Sequence, residues 1–231
     1  MRIYLTALIG LIISSCSNGQ TTIAENGIKI SNGGITKKQS ELLFFKTKSF
    51  PNNIELSITL IKNGKTDTTT LIENYKNTFE IGSITKVFTA RLLSNLVSDQ
   101  ELKLNDNVQD YLDFKIKSEN RITFKELANH TSGLPKLPSN LDFLFVDQDN
   151  PYKNYDKEKL VSYLTKEVEL NQEPGIKYEY SNPDAGILGF ELATISKSYN
   201  KSLLQEKIFT KYKMVNSTST RENIKVNLLK D

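Results

Sequence analysis

Phe79-Glu80-Ile81-Gly82-Ser83-Ile84-Thr85-Lys86 is the stretch on which the reading of this chain turns. A strand-and-turn region leads into it. A run with helical spacing (Ile84, Val87, Phe88, Leu92, Leu96) leads out of it toward Ser98 and reads as a buried helix. Ser83 therefore stands at a helix start, and Lys86, three residues on, shares its face. A lysine withdrawn from water has a lowered pKa and can accept a proton. The helix N-terminus favours negative charge developing at Ser83. The pair is a workable serine nucleophile that needs no histidine. Ser-x-x-Lys is a loose pattern by itself. Ser198 to Lys201 repeats it without a preceding glycine turn, and an N-capping serine beside a solvated lysine has the same letters.

Composition narrows the function classes. The chain has 231 residues, 38% hydrophobic and 25% charged, enough for a buried core and unlike a disordered or multi-span membrane protein. Lys+Arg 30 against Asp+Glu 27 leaves a net charge of +3, spread without an arginine-rich block, so no nucleic-acid partner is expected. One cysteine rules out an intramolecular disulfide and a Cys-rich zinc site, and one histidine, His130, rules out a multi-His centre. No metal and no cofactor are expected.

Upstream, residues 1–15 have the form of a signal peptide. Arg2 supplies the positive end, and the apolar run from Ile3 to Ile13 is shorter than the roughly 20 residues of a spanning helix. Ile13-Ser14-Ser15-Cys16 resembles the lipobox of bacterial lipoproteins, with Cys16 as the lipidated residue. The expectation is an exported lipoprotein held at a membrane by its lipid, with residues 16–36, rich in Asn, Gly, Ser and Thr, as a flexible tether. Residues 35–50 have helical spacing ended by Pro51. Ile54 to Ile61 alternates apolar and polar, and Asn63-Gly64 turns it into the Thr-rich run from Lys65 to Ile72, a hairpin. Downstream, the spacing predicts helices at Thr123 to Asn129 with a Thr123–Glu126 capping box, from Asp156, after Asn182-Pro183, and over Ser202 to Tyr212.

The second chemical segment is Glu173-Pro174-Gly175-Ile176-Lys177-Tyr178-Glu179-Tyr180-Ser181-Asn182. Tyr180 and Asn182, two apart in an extended run, point to one side. Tyr-x-Asn also occurs at Tyr75 to Asn77 and Tyr152 to Asn154, but only here does it follow Pro-Gly and precede Ala185-Gly186-Ile187-Leu188-Gly189. Together with Leu104 to Leu112 and with Ile122-Thr123-Phe124-Lys125-Glu126-Leu127-Ala128-Asn129-His130-Thr131-Ser132-Gly133-Leu134-Pro135, these blocks resemble, in order, those of the serine β-lactamase-like proteins. That family includes class C β-lactamases, D-Ala-D-Ala carboxypeptidases and related esterases.

The resemblance implies an α/β, transpeptidase-like fold and an acyl-enzyme mechanism on a small amide, peptide or ester substrate. It implies Ser83 as nucleophile, Lys86 as the group that holds its proton, Tyr180 as general base and later acid, and Asn182 as a substrate-amide contact. The Ser83 backbone N–H would be one oxyanion donor. His130 reads as a packing and hydrogen-bonding residue. The family's third motif, Lys-Thr-Gly or His-x-Gly on a later strand, does not follow Asn182 here, and Lys62-Asn63-Gly64 precedes Ser83. The expectation is therefore a partial domain over residues 37–231, its helical part intact and its hairpin belonging to an incomplete antiparallel sheet with an edge open to association. It is a serine hydrolase impaired by the missing motif or, alternatively, a non-catalytic binding protein or gene remnant.

Overall fold

The computed structural model describes residues 22–25, 28–31, 38, 41–42, 45–46, 56–71, 79–141, 150–198 and 200–220. The chain separates into two compact units, Met1–Thr78 with Leu229–Asp231, and Phe79–Leu228. The boundary falls inside the stretch expected as one domain.

Two antiparallel strand pairs make up the described part of the first unit's sheet. β1 (Thr22–Glu25) and β2 (Ile28–Ser31) pair with Glu25 opposite Ile28. β3 (Leu56–Lys62) and β4 (Lys65–Leu71) pair with Lys62 opposite Lys65, across Asn63-Gly64. Asn63 (φ 51°) and Gly64 (φ 72°) are both left-handed, as a two-residue hairpin turn requires. Ile30 sits opposite Leu71, giving a sheet of order β1-β2-β4-β3. Within residues 16–36, expected as a tether, Thr22–Glu25 and Ile28–Ser31 are thus paired strands, with Ile23 opposite Ile30. Of residues 35–50, Lys38, Glu41, Leu42, Phe45 and Lys46 are described; all are helical and exposed. The leader and Cys16 lie outside the described residues.

The second unit is built on helices α1 (Thr85–Ser98), α2 (Phe124–Asn129), α3 (Lys157–Ser162), α4 (Asn182–Ile195) and α5 (Asn200–Leu204). α3 and α5 each continue into a wider π turn, Tyr163–Glu167 and Gln205–Thr210. Their starts follow capping chemistry. Thr123 and Glu126 close a full capping box on α2, Asp156 accepts from Lys159 N–H on α3, and Ser181 accepts from Asp184 N–H on α4. Ser181, not Asn182, is thus the cap of α4, and Asn182 is its first helical residue.

The core joins Leu92, Leu93 and Leu96 of α1 to Ile187, Leu188 and Leu192 of α4, with Phe124 and Leu127 of α2 and Ile208 and Phe209 beyond α5. The buried face of α1 differs from the expected one. Ile84 and Val87 are 60% and 65% exposed, while Leu92 is fully covered. Ser83 and Lys86 stand at the entry to α1, and the residues that α1 buries, Thr89, Leu92, Leu93, Asn95 and Leu96, belong to its later turns. The block from Leu104 to Leu112 is a folded turn. Asp106 Oδ2 accepts from Lys103 N–H at 2.8 Å and from Tyr111 Oη at 2.7 Å, which holds the Asp106 carboxyl below its usual range.

Candidate active site

Gly82 begins the site. Its φ of 49° is left-handed, and a Cβ there would meet nothing within 4 Å, so backbone conformation rather than space asks for glycine. It opens a short 3-10 turn, Gly82–Ile84, that lifts Ser83 onto the start of α1; Thr85 Oγ1 ties the turn down by donating to Gly82 O at 2.7 Å. The Tyr180 segment is laced to the loop after α2. Gly175 N–H donates to Thr131 O at 2.7 Å, Glu179 N–H to His130 O at 2.8 Å, and Asn182 N–H to Lys136 O at 3.0 Å.

These two supports bring together residues 97 positions apart. Tyr180 Oη donates to Ser83 Oγ at 2.7 Å. Lys86 Nζ donates to Ser83 Oγ at 3.2 Å and to Asn182 Oδ1 at 2.8 Å, and it lies 4.9 Å from the centroid of the Tyr180 ring. Interaction with the Lys86 side chain first, and with the Ser83 hydroxyl second, lowers the Tyr180 phenol below its ordinary value of 10.0. A phenol lowered below its ordinary value and already in contact with a serine hydroxyl is placed to take that hydroxyl's proton. Ser83, Lys86, Tyr180 and Asn182, named from sequence, thus form one hydrogen-bonded cluster.

Behind it lies a cluster that the sequence did not announce. Asp184 is fully buried and meets His130 Nδ1 at 3.0 Å and the Ser132 hydroxyl at 2.5 Å. Burial pushes its carboxyl up to about 8, against a smaller lowering by Ser132. Ser181 N–H approaches His130 Nδ1 at 3.3 Å. The His130 ring packs on Tyr180 with centroids 4.9 Å apart, and burial depresses its pKa. His130 thus props the Tyr180 ring from behind.

Tyr152 was also missed; its Tyr-x-Asn letters read as a chance copy. Its Oη accepts from Asn182 Nδ2 at 2.8 Å. Both ends of the Asn182 amide are thereby engaged, one by Lys86 and one by Tyr152. Lys86, Asn182 and Tyr152 line the mouth of a groove of about 1100 Å³ that continues along α4. No sequence signal marks this groove, because its walls come from segments some 30 residues apart.

A family model described as Beta-lactamase matches residues 60–226. Protein flp of Staphylococcus aureus (strain NCTC 8325 / PS 47) is 29% identical over 160 residues, 63% of this chain and 31% of that protein. A teichoic acid D-alanine hydrolase of Staphylococcus aureus is 40% identical over 78 residues, 33% of this chain and 19% of that one. Among solved structures, a beta-lactamase/D-alanine carboxypeptidase from Yersinia pestis complexed with citrate superposes with a TM-score of 0.62 at 24% identity, covering 79% of this chain and 54% of that one. That likeness is one of fold. The chain spans about a third of the length of the curated relative flp and about half of the solved structure.

Proposed function

The chain belongs to the beta-lactamase family, and from that premise we propose that it is a serine hydrolase that opens amide or ester bonds through an acyl-enzyme on Ser83. The observation that carries this reading is the contact of Ser83 Oγ with both Tyr180 Oη (2.7 Å) and Lys86 Nζ (3.2 Å). In the proposed mechanism, Tyr180 in its phenolate form accepts the Ser83 proton as Oγ bonds to the substrate carbonyl carbon. The tetrahedral intermediate collapses as the bond to the leaving amine or alcohol breaks, and Tyr180 returns the proton to that group. Lys86 holds positive charge beside Tyr180 and favours its phenolate form. Water then attacks the acyl-enzyme by the same route in reverse.

One relative is named for hydrolysis of D-alanine from teichoic acid, which adds D-alanyl esters to chromogenic β-lactams and short esters as substrates to test. Intact-mass spectrometry should show a covalent adduct on wild-type protein, absent in Ser83→Ala and slowed at least about 100-fold in Tyr180→Phe. Adduct formation elsewhere than Ser83 would overturn the reading. No adduct with any substrate would favour a binding protein without turnover.

A further inference from the structure

Asp184 stands in the first turn of α4, just after the Tyr180-Ser181-Asn182 segment, and is fully buried. It has no part in the proton transfers proposed above. Burial of a carboxyl is unfavourable unless its oxygens are bonded, and here both are. Oδ1 accepts from the Ser132 hydroxyl, and Oδ2 meets His130 Nδ1 at 3.0 Å. The start of α4 thus grips the loop after α2 through two side chains. His130 carries this grip to the site. Its imidazole lies 4.9 Å from the Tyr180 ring, centroid to centroid, the one aromatic ring against Tyr180 among the described residues. Lys86 Nζ also stands 4.9 Å from that ring, and the Tyr180 hydroxyl rests on Ser83. The tether at Nδ1 fixes the rotation of the imidazole about its Cβ–Cγ bond, and with it the surface against which the Tyr180 ring packs.

We propose that Asp184 is a positioning residue for Tyr180, acting through His130: it locks the imidazole plane, and that plane keeps the Tyr180 hydroxyl on Ser83 and beside Lys86. The proposal rests on the Ser83 acyl-enzyme reading. The lock needs the shape and hydrogen bonds of the side chain, not its charge. An amide supplies both. In Asp184→Asn, Oδ1 accepts from Ser132 and Nδ2 donates to His130 Nδ1. Leucine has a similar size and makes neither bond. His130→Gln keeps a donor for the Asp184 carboxyl and removes the ring.

The full chain and its variants are labelled with a fluorophosphonate over a range of concentrations, and the Ser83 adduct is measured by mass spectrometry. Ser83 Oγ bonds to phosphorus, the phosphorus–fluorine bond breaks, fluoride leaves, and the serine proton passes through Tyr180 to solvent. A misplacement on the order of 1 Å costs about 100-fold, so Asp184→Leu and His130→Gln should each lower the limiting rate by about that factor, with the half-saturating concentration and the rate of Asp184→Asn within about fivefold of wild type. The pH profile separates positioning from loss of fold. The groups that act on the Tyr180 phenol are Lys86 and Ser83 from α1, Lys136 and His130 from the loop after α2, and Tyr152. A phenol that drifts from Lys86 loses what lowers it, so the labelling midpoint should rise toward 10.0 in Asp184→Leu and His130→Gln. In Asp184→Asn, which can take no negative charge, it should stay at or below that of wild type. Loss of folded protein by itself lowers the amount of adduct and leaves the midpoint in place. If Asp184→Leu does not fold, His130→Gln and Asp184→Asn carry the comparison. A wild-type rate and midpoint in His130→Gln, or an Asp184→Asn as slow as either of the others, overturns the positioning role while the wild-type adduct upholds the Ser83 reading. No Ser83 adduct on wild-type protein overturns that reading and the positioning role with it.

Discussion

Lys86 is the residue on which the proposed chemistry depends. Its ammonium bridges Ser83 and Asn182 and lies close to the Tyr180 ring, so one positive charge both holds the Ser83 hydroxyl and lowers the phenol. The pH profile should carry this signature. A lowered phenol is deprotonated over more of the accessible range, so Ser83 labelling should rise with pH and level off at a midpoint below 10.0. Lys86→Met removes the charge, and its profile should move to a higher midpoint as well as lose about 100-fold in rate. Stopped labelling between pH 6 and 10 checks both. A midpoint that stays in place in the variant would show that Lys86 does not set the ionisation of Tyr180.

Among the elements, the loop that leaves α2 does the positioning. His130 ends α2 in a left-handed conformation (φ 56°), and Gly133 (φ 82°) turns the chain beneath the Tyr180 segment. A Cβ on Gly133 would lie 2.1 Å from Gln172 O, a contact that backbone must move to relieve. Gly133→Ala should therefore cost about 2–4 kcal/mol, against about 1 kcal/mol for removing the α2 cap in Thr123→Ala. Urea unfolding of the two variants compares them. Because Thr131, His130 and Lys136 carbonyls hold the run up to Asn182, Gly133→Ala should also slow Ser83 labelling, whereas Thr123→Ala should act on stability. Equal stabilities would mean that the loop shifts at little cost.

For the helical unit as a whole, two carboxyls govern the response to pH. Glu191 is fully buried, and neither of its oxygens has a hydrogen-bond partner among the described residues. Burial first, and the nearby charge of Asp113 second, push it up to about 8; burial does the same for Asp184. The folded state thus holds protons that the unfolded chain releases above pH 3.8 to 4.5. Their contribution is fully present below that range, is lost as pH rises toward 8, and is constant beyond. Glu191→Gln removes its share. The fall in melting temperature from pH 5 to pH 8 should be smaller in the variant than in wild type, and unequal slopes in the opposite sense would overturn the assignment.

Local physics was legible in the residues. Gly82 before Ser83, the Thr123–Glu126 box, the Pro after Asn182 and the Asn63-Gly64 turn each act over a few positions, so the helix starts and one hairpin could be named from spacing, whereas Ser83, Lys86, Tyr180 and Asn182 were singled out together by the resemblance of their motifs to a known family. Long-range placement was not legible. Which face of α1 is buried depends on where α4 lies, so Ile84 and Val87 came out exposed despite their helical period. Asp184 reads as an ordinary first-turn acid until Ser132 and His130, more than 50 residues earlier, close over it. Tyr152 gains its meaning only by reaching the Asn182 amide. Hydrogen bonds between distant segments and the desolvation they impose arise from packing, and packing belongs to the folded chain.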